Sequence, residues 1–177
     1  MAEKTEEIKN KVANSGLEPL NLGDFYPDGE RVTIDLKDHL FEGLILREKD
    51  FRTFLKNEDW SKYQNKFVAI TSTADAIIPQ WAYMLLASEL EPYAKKVVSG
   101  NRDTLEAIIF SESIKEYLHP EEYKNKRVMI RGCGDKELPV SAFSEAVTLL
   151  KPYAKSIMYG EACSNVPIYK SKSGLTI

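Results

Sequence analysis

Tyr123-Lys-Asn-Lys-Arg-Val-Met-Ile130, Leu150-Lys-Pro-Tyr-Ala-Lys155 and Gly160 mark out a stretch that the chain contains twice. Sixty residues earlier (123 − 63 = 60) stand Tyr63-Gln-Asn-Lys-Phe-Val-Ala-Ile70, Leu90-Glu-Pro-Tyr-Ala-Lys95 and Gly100, in the same register and without a gap. In that register Asp75-Ala-Ile-Ile-Pro79 falls on Asp135-Lys-Glu-Leu-Pro139. Each copy reads strand, loop, helix, strand. Lys66-Phe-Val-Ala-Ile-Thr-Ser72 is a nearly continuous apolar run, the pattern of a strand buried on both faces, and Arg127-Val-Met-Ile-Arg131 is its partner. Pro79 suits the first turn of a helix, where its missing N–H costs least. Residues 81–90 are apolar nearly all round. In the second copy Ala142, Phe143, Ala146, Val147, Leu149 and Leu150 have helical spacing. Lys96–Ser99 and Ser156–Tyr159 are the closing strands.

A helix beginning near Asp103, which with Glu106 three positions on resembles a capping box although its usual first residue is Ser or Thr, joins the copies and ends before Pro120, because the residue ahead of a proline avoids the α region. The pattern predicts an α/β fold: a single domain over 1–177 in which two pseudo-symmetric βαβ repeats, 63–100 and 123–160, share one mainly parallel sheet. Strands at Val32–Leu36 and Leu44–Leu46 are expected to add at one edge, and Glu48–Lys56 to form a helix. Residues 1–30 read as an N-terminal extension, helical over 3–14 and loop-like over 17–30, and 170–177 as a flexible tail.

Bulk properties narrow the function classes. A net charge of −3 provides no basic footprint for nucleic acid. No apolar run is long enough to span a bilayer, and the charged start Met1-Ala-Glu-Lys-Thr-Glu-Glu has no apolar signal core. The expected compartment is the cytosol, where Cys133 and Cys163 stay reduced. Phosphate-loop, dinucleotide, zincin and nucleophile-elbow motifs are absent.

In open parallel sheets ligands bind beyond the carboxyl ends of the strands. With all repeat strands in one sheet, Asp75, Cys133, Asp135, Glu161 and Cys163 are expected along one edge, between the repeats. The duplicated Asp-x-x-x-Pro has two readings. Each carboxylate can cap the helix that follows, accepting from its free N–H groups. Alternatively the pair faces a ligand or a metal. The thiols have three readings: packed side chains, a zinc or iron site made by Cys133 and Cys163 with Asp75, Asp135, Glu161 or His39, and a reactive nucleophile at Cys133.

Ala74-Asp-Ala-Ile-Ile-Pro-Gln-Trp-Ala-Tyr-Met-Leu-Leu86, Arg131-Gly-Cys-Gly-Asp-Lys-Glu-Leu-Pro139 and Ile157-Met-Tyr-Gly-Glu-Ala-Cys-Ser-Asn-Val-Pro-Ile-Tyr-Lys170 resemble a bacterial family, domain of unknown function 2480. The likeness extends to Asp24-Phe-Tyr-Pro and Phe41-Glu-Gly-Leu-Ile-Leu. It implies a small soluble bacterial protein and no particular activity. The leading expectation is a small-ligand- or metal-binding protein. A non-catalytic interaction module that forms a homodimer comes second, and an enzyme with a cysteine nucleophile third.

Overall fold

The computed structural model describes residues 16–132, 136–161 and 164–171. The chain divides into two compact units, one of Met1–Tyr26 with Ser111–Ile177 and the other of Pro27–Phe110. The second is therefore an insertion into the first, and helix α3 (Arg102–Tyr117) carries the chain back.

The inserted unit is built on β2 (Arg31–Asp35), β3 (Phe67–Thr71) and β4 (Lys96–Ser99), all parallel, with β3 in the middle. Two helices, α1 (Glu48–Asn57) and α2 (Gln80–Leu90), provide the crossovers. Strand alternation divides the apolar run of β3 between two layers. Val68 and Ile70 join a cluster with Phe51, Leu55, Ala82, Leu86 and Leu90. Phe67 and Ala69 join Val98, Leu105 and Ile109, the last two from the first half of α3. Both faces of β3 are thus covered, which explains why its sequence does not alternate.

The other unit has β1 (Leu17–Asn21), β5 (Arg127–Arg131), β6 (Ser156–Glu161) and β7 (Ser164–Lys170), in the order β1-β5-β6-β7. The first three are parallel; β7 turns back antiparallel on β6, with a register shift between Ile157 and Met158. Its helix α4 (Val140–Leu150) buries Ala142, Ala146 and Leu150. Pro167 lacks an N–H, which an edge strand tolerates.

Positions sixty apart make the same backbone hydrogen bonds. Asn65 and Asn125 both have φ 60, a left-handed conformation that asparagine accepts more readily than most residues. The Asn65 amide donates to the Tyr93 carbonyl and the Asn125 amide to the Tyr153 carbonyl, each at 2.9 Å. Lys95 N–H donates to Lys66 O and Lys155 N–H to Lys126 O, each at 2.8 Å. The shared Asn-Lys and Pro-Tyr-Ala-Lys segments are the residues that form this junction between helix and strand.

The α/β class and the mainly parallel pairing are as the sequence predicts. The single shared sheet is not: residues 67–71 and 127–131 are central strands of different sheets. Both edges of β3 are taken by β2 and β4, and both edges of β5 by β1 and β6, so neither has a free edge for the other. Residues 17–21, expected as loop, form β1. The sequence signal for it is an echo fourteen residues long in period (34 − 20 = 14), Leu20-Asn-Leu-Gly-Asp24 against Ile34-Asp-Leu-Lys-Asp38.

The strand expected at 44–46 is only an isolated bridge between Phe41 and Ile45, with Leu44 and Ile45 exposed. Strand β7 escaped notice because nearly every residue in it is exposed, so its sequence has no inward-facing rhythm to read. Asp103 lies inside α3; the cap is Asn101, whose Oδ1 accepts from the Thr104 amide at 2.9 Å and hydroxyl at 2.8 Å. The expected helix over 3–14 and the tail over 172–177 lie outside the described residues.

Candidate functional site

Parallel pairing brings the carboxyl ends of β2, β3 and β4 to one edge of the inserted unit. Asp35 ends β2, and its carboxylate accepts from the Lys37 amide at 3.0 Å, the Thr73 amide at 3.1 Å and the Thr73 hydroxyl at 2.6 Å. The Lys37 ammonium stands 3.5 Å away. These bonds tie the loop after β3 to the end of β2. Burial pushes the Asp35 pKa up, but the Thr73 hydroxyl, the two amides and Lys37 outweigh it and hold the carboxyl below its ordinary 3.8.

Four residues on, His39 stacks on Phe54 at 3.9 Å and meets Phe51 edge-on at 5.9 Å. Burial lowers its pKa from the ordinary 6.5, against the pull of Asp38 and Glu58.

Both shifts are depressions, so both groups bind protons more readily in the unfolded chain and stability rises with pH. The His39 contribution is complete above 6.5 and is lost as pH falls through the lowered folded value. The Asp35 contribution survives until pH falls below 3.8. Urea unfolding followed between about pH 8 and 5 should show stability declining on acidification, and His39→Phe should flatten that decline. An unchanged slope in the variant would remove His39 from the account.

Asp75 lies beyond β3 and is exposed. The residue preceding α2 is Pro79, which makes no side-chain capping bond. The capping expectation for Asp75 therefore fails: the helix begins after the proline, and Asp75 is four positions upstream of it. Asp75→Ala should change stability by no more than about 0.5 kcal/mol, as for a surface site without partners among the described residues. A loss approaching the ~0.5–2 kcal/mol of a true cap, read from the denaturation midpoint, would reverse this assignment.

In the other unit Asn21, Arg131 and Glu161 end β1, β5 and β6. Asn21 Oδ1 accepts from the Gly23 amide at 3.2 Å, and its Nδ2 donates to Asp24 Oδ1 at 2.9 Å. Arg131 Nη2 is 3.1 Å from Glu161 Oε2. The Arg131 Nε is buried and has no hydrogen-bond partner among the described residues; in the inserted unit the same is true of Ser72 Oγ, one residue past β3. Gly132 has no side chain because the Phe143 ring occupies the space a Cβ would need. Phe143 in turn meets Tyr159 edge-on at 5.6 Å. Beside this pair opens a cavity of about 250 Å³ lined by Ile130, Phe143, Val147, Tyr159 and Ile168.

The sequence-derived site is thus divided. Asp75 follows a strand of the three-stranded sheet and Glu161 ends a strand of the four-stranded one, so they do not share a sheet edge. Cys133, Asp135 and Cys163 lie outside the described residues, and with them the expected zinc or iron site. Among the described residues no three or more His, Cys, Asp or Glu side chains gather as metal ligands would. His39 is packed between phenylalanine rings. Arg131 and Asp35 were not singled out from sequence, since a charged residue at a strand end reads as a solvated terminus. Their position at the end of a parallel strand was the available signal.

Of the segments that carry the family likeness, 74–86 takes in the first part of α2, and 157–170 takes in most of β6 and all of β7. Residues 6–171 match a single family model, described as protein of unknown function, DUF2480. The chain belongs to that family. Comparison with curated proteins gives no match, and neither does comparison with solved structures. The family's description assigns no activity, so the functional reading rests on the strand ends themselves.

Proposed function

We propose that this is a small-ligand-binding α/β protein of the cytosol whose site is the carboxyl edge of the four-stranded sheet, where Arg131, held on one side by Glu161, receives a small anionic group. One observation carries this reading. The two buried side-chain polar atoms that lack partners among the described residues, Ser72 Oγ and Arg131 Nε, both occur at the carboxyl end of a central parallel strand. Buried polar groups are nearly always hydrogen-bonded, so an orphaned one calls for an explanation, and a bound ligand, ion or water supplies one. Leaving such a group unpaired costs about 1–3 kcal/mol. Of the two, Arg131 offers charge and a planar fork suited to a carboxylate or phosphate, and Glu161 occupies only Nη2. Among the described residues no helix is long and apolar enough to cross a membrane.

Titration calorimetry with inorganic phosphate and with acetate tests this. Arg131→Gln should weaken binding about tenfold or more, the loss of a charged hydrogen bond. Wild-type protein indifferent to both anions, or equal affinity in the variant, would reject the site. Stoichiometric zinc or iron in the purified protein, lost in Cys133→Ser and Cys163→Ser, would move the reading to the thiolate metal site.

The second reading, an interaction module that forms a homodimer, is favoured by β7, where Val166 and Ile168 are 58% and 47% exposed on an edge strand. Sedimentation over a range of concentrations separates it from the first.

A further inference from the structure

We infer that the inserted unit holds a second binding site, between α1 and α2, which takes a short zwitterionic peptide with apolar side chains. The two helices pack side by side: Phe51 and Trp81 meet edge-on at 5.9 Å, and Leu55 and Leu86 share one core cluster. Farther along them a cavity of about 360 Å³ opens, lined by Arg52, Leu55, Lys56, Trp60, Leu85 and Glu89. Small-molecule sites have volumes of about 300–1,000 Å³. All six lining residues belong to one compact unit, Pro27–Phe110.

The two walls carry opposite charges that do not neutralise each other. Arg52 and Lys56 stand one turn apart on α1, and Glu89 stands on α2. Among the described residues no ion pair crosses the cavity. Arg52 pairs within its own helix, its Nε 2.9 Å from Glu48 Oε1, while Lys56 and Glu89 have no ion-pair partner among those residues. Glu89 also lies in the last turn of α2, where the helix dipole disfavours a carboxylate; no basic residue shares that turn, and Glu91 follows at the cap. An ammonium beside Glu89 relieves that repulsion, and a carboxylate beside Arg52 and Lys56 completes the other wall. One ligand carrying both charges satisfies both walls.

The floor is apolar and preformed. Trp60 is buried, its Nε1 donates to the Leu55 carbonyl at 3.0 Å, and Phe54 and Tyr63 hold the ring at 6.0 and 5.9 Å between centroids. With Leu55 and Leu85 it offers surface on which a hydrocarbon side chain displaces water. Length selects a peptide. The axes of packed helices lie about 8–10 Å apart, so charges on facing walls are separated by the groove. A single α-amino acid carries ammonium and carboxylate on one carbon, whereas two extended residues span about 7 Å.

The repeat provides an internal comparison. Sixty residues on, Pro120 replaces Trp60, Glu145 replaces Leu85 and Leu149 replaces Glu89. Glu145 is paired, 3.2 Å from the Lys115 ammonium. The repeat therefore folds without the tryptophan floor or the unpaired glutamate, and helix packing does not require them.

Calorimetry on the full chain with leucyl-leucine, N-acetyl-leucyl-leucine, leucyl-leucinamide and leucine tests the inference. Wild type should bind leucyl-leucine about tenfold or more tighter than each of the other three, since each lacks one charge or the span between them. Glu89→Gln should abolish the discrimination against the acetylated peptide and keep that against the amide. Arg52→Gln combined with Lys56→Gln should do the converse. These side chains are exposed, so the denaturation midpoints should stay near that of wild type. Arg131→Gln should leave leucyl-leucine binding unchanged, which separates this site from the anion site proposed above.

No saturable binding of leucyl-leucine would overturn the inference. So would discrimination that persists in the Glu89 and Arg52/Lys56 variants, or binding lost in Arg131→Gln. Leucine binding as tightly as leucyl-leucine would overturn the peptide as ligand. A dimer that Glu89→Gln dissociates and leucyl-leucine does not disturb would assign the groove to a second copy and overturn the site.

Discussion

Gly160→Ala should lower the stability of the β6–β7 unit by about 2–4 kcal/mol, combining backbone strain with overpacking against a rigid neighbour. Gly160 has φ 124, where an L side chain is strained in any surroundings. A Cβ there would also stand 2.5 Å from the Ser164 carbonyl oxygen and 3.1 Å from the Asn165 Cα, both backbone atoms of the strand it pairs with. A side chain could rotate away from such a contact; backbone cannot without breaking the ladder. The damage should therefore concentrate on β7, which supplies Ile168 to the cavity. Chemical denaturation reads the loss, and amide hydrogen exchange locates it: protection along 164–170 should fall more than along 127–131. A variant with unchanged midpoint and an intact β7 would show that the turn relaxes freely and that the glycine is not required.

Phe51→Ala should cost the inserted unit about 3–5 kcal/mol, the range for truncating a fully buried aromatic when its surroundings relax only partly. Phe51 is 1% exposed and meets His39 at 5.9 Å, Phe54 at 5.8 Å and Trp81 at 5.9 Å between ring centroids. It is the side chain through which α1 joins α2 and the turn bearing His39. The loss should have a second signature. Opening this cluster hydrates His39, so its pKa should return toward 6.5 and the acid-side decline in stability should flatten. Near-ultraviolet circular dichroism should show the Trp81 signal weakened at the same time. Destabilisation under about 1.5 kcal/mol, the cost of a well-tolerated swap, would mean the ring is replaced by collapse of its neighbours.

The candidate site was legible only in part. Glu161 was singled out because it follows a predicted strand, and it does end β6 with its carboxylate on Arg131. Arg131 was not, because nothing local distinguishes a guanidinium facing water from one whose Nε is buried; that depends on what packs around the end of β5. Asp75 carried a motif, Asp-x-x-x-Pro, that reads more readily as a cap than as a ligand site, and only the observed start of α2 after Pro79 removes that reading. The cavity beside Tyr159 had no sequence signal, since one wall belongs to β7, a strand without alternation.

What the sequence determined by itself is the content and internal order of each repeat. Short-range chemistry suffices for that: the apolar run of β3, the prolines before α2 and α4, and the left-handed asparagines at 65 and 125 act on neighbours a few residues away. What only the tertiary structure decided is which strand lies beside which. β3 and β5 hold the same place in the two repeats, sharing Val68 with Val128 and Ile70 with Ile130, and either would satisfy its backbone against any parallel neighbour of the right length. The choice fell to β1 and β2, which take the outer edges of β5 and β3. Leu20, Leu22, Ile34 and Leu36 are buried there, at 4%, 0%, 7% and 0% exposure. Burying each of these side chains contributes about 1.5–3 kcal/mol. That gain falls at sequence separations that no local pattern records, and it made two sheets where periodicity alone suggested one.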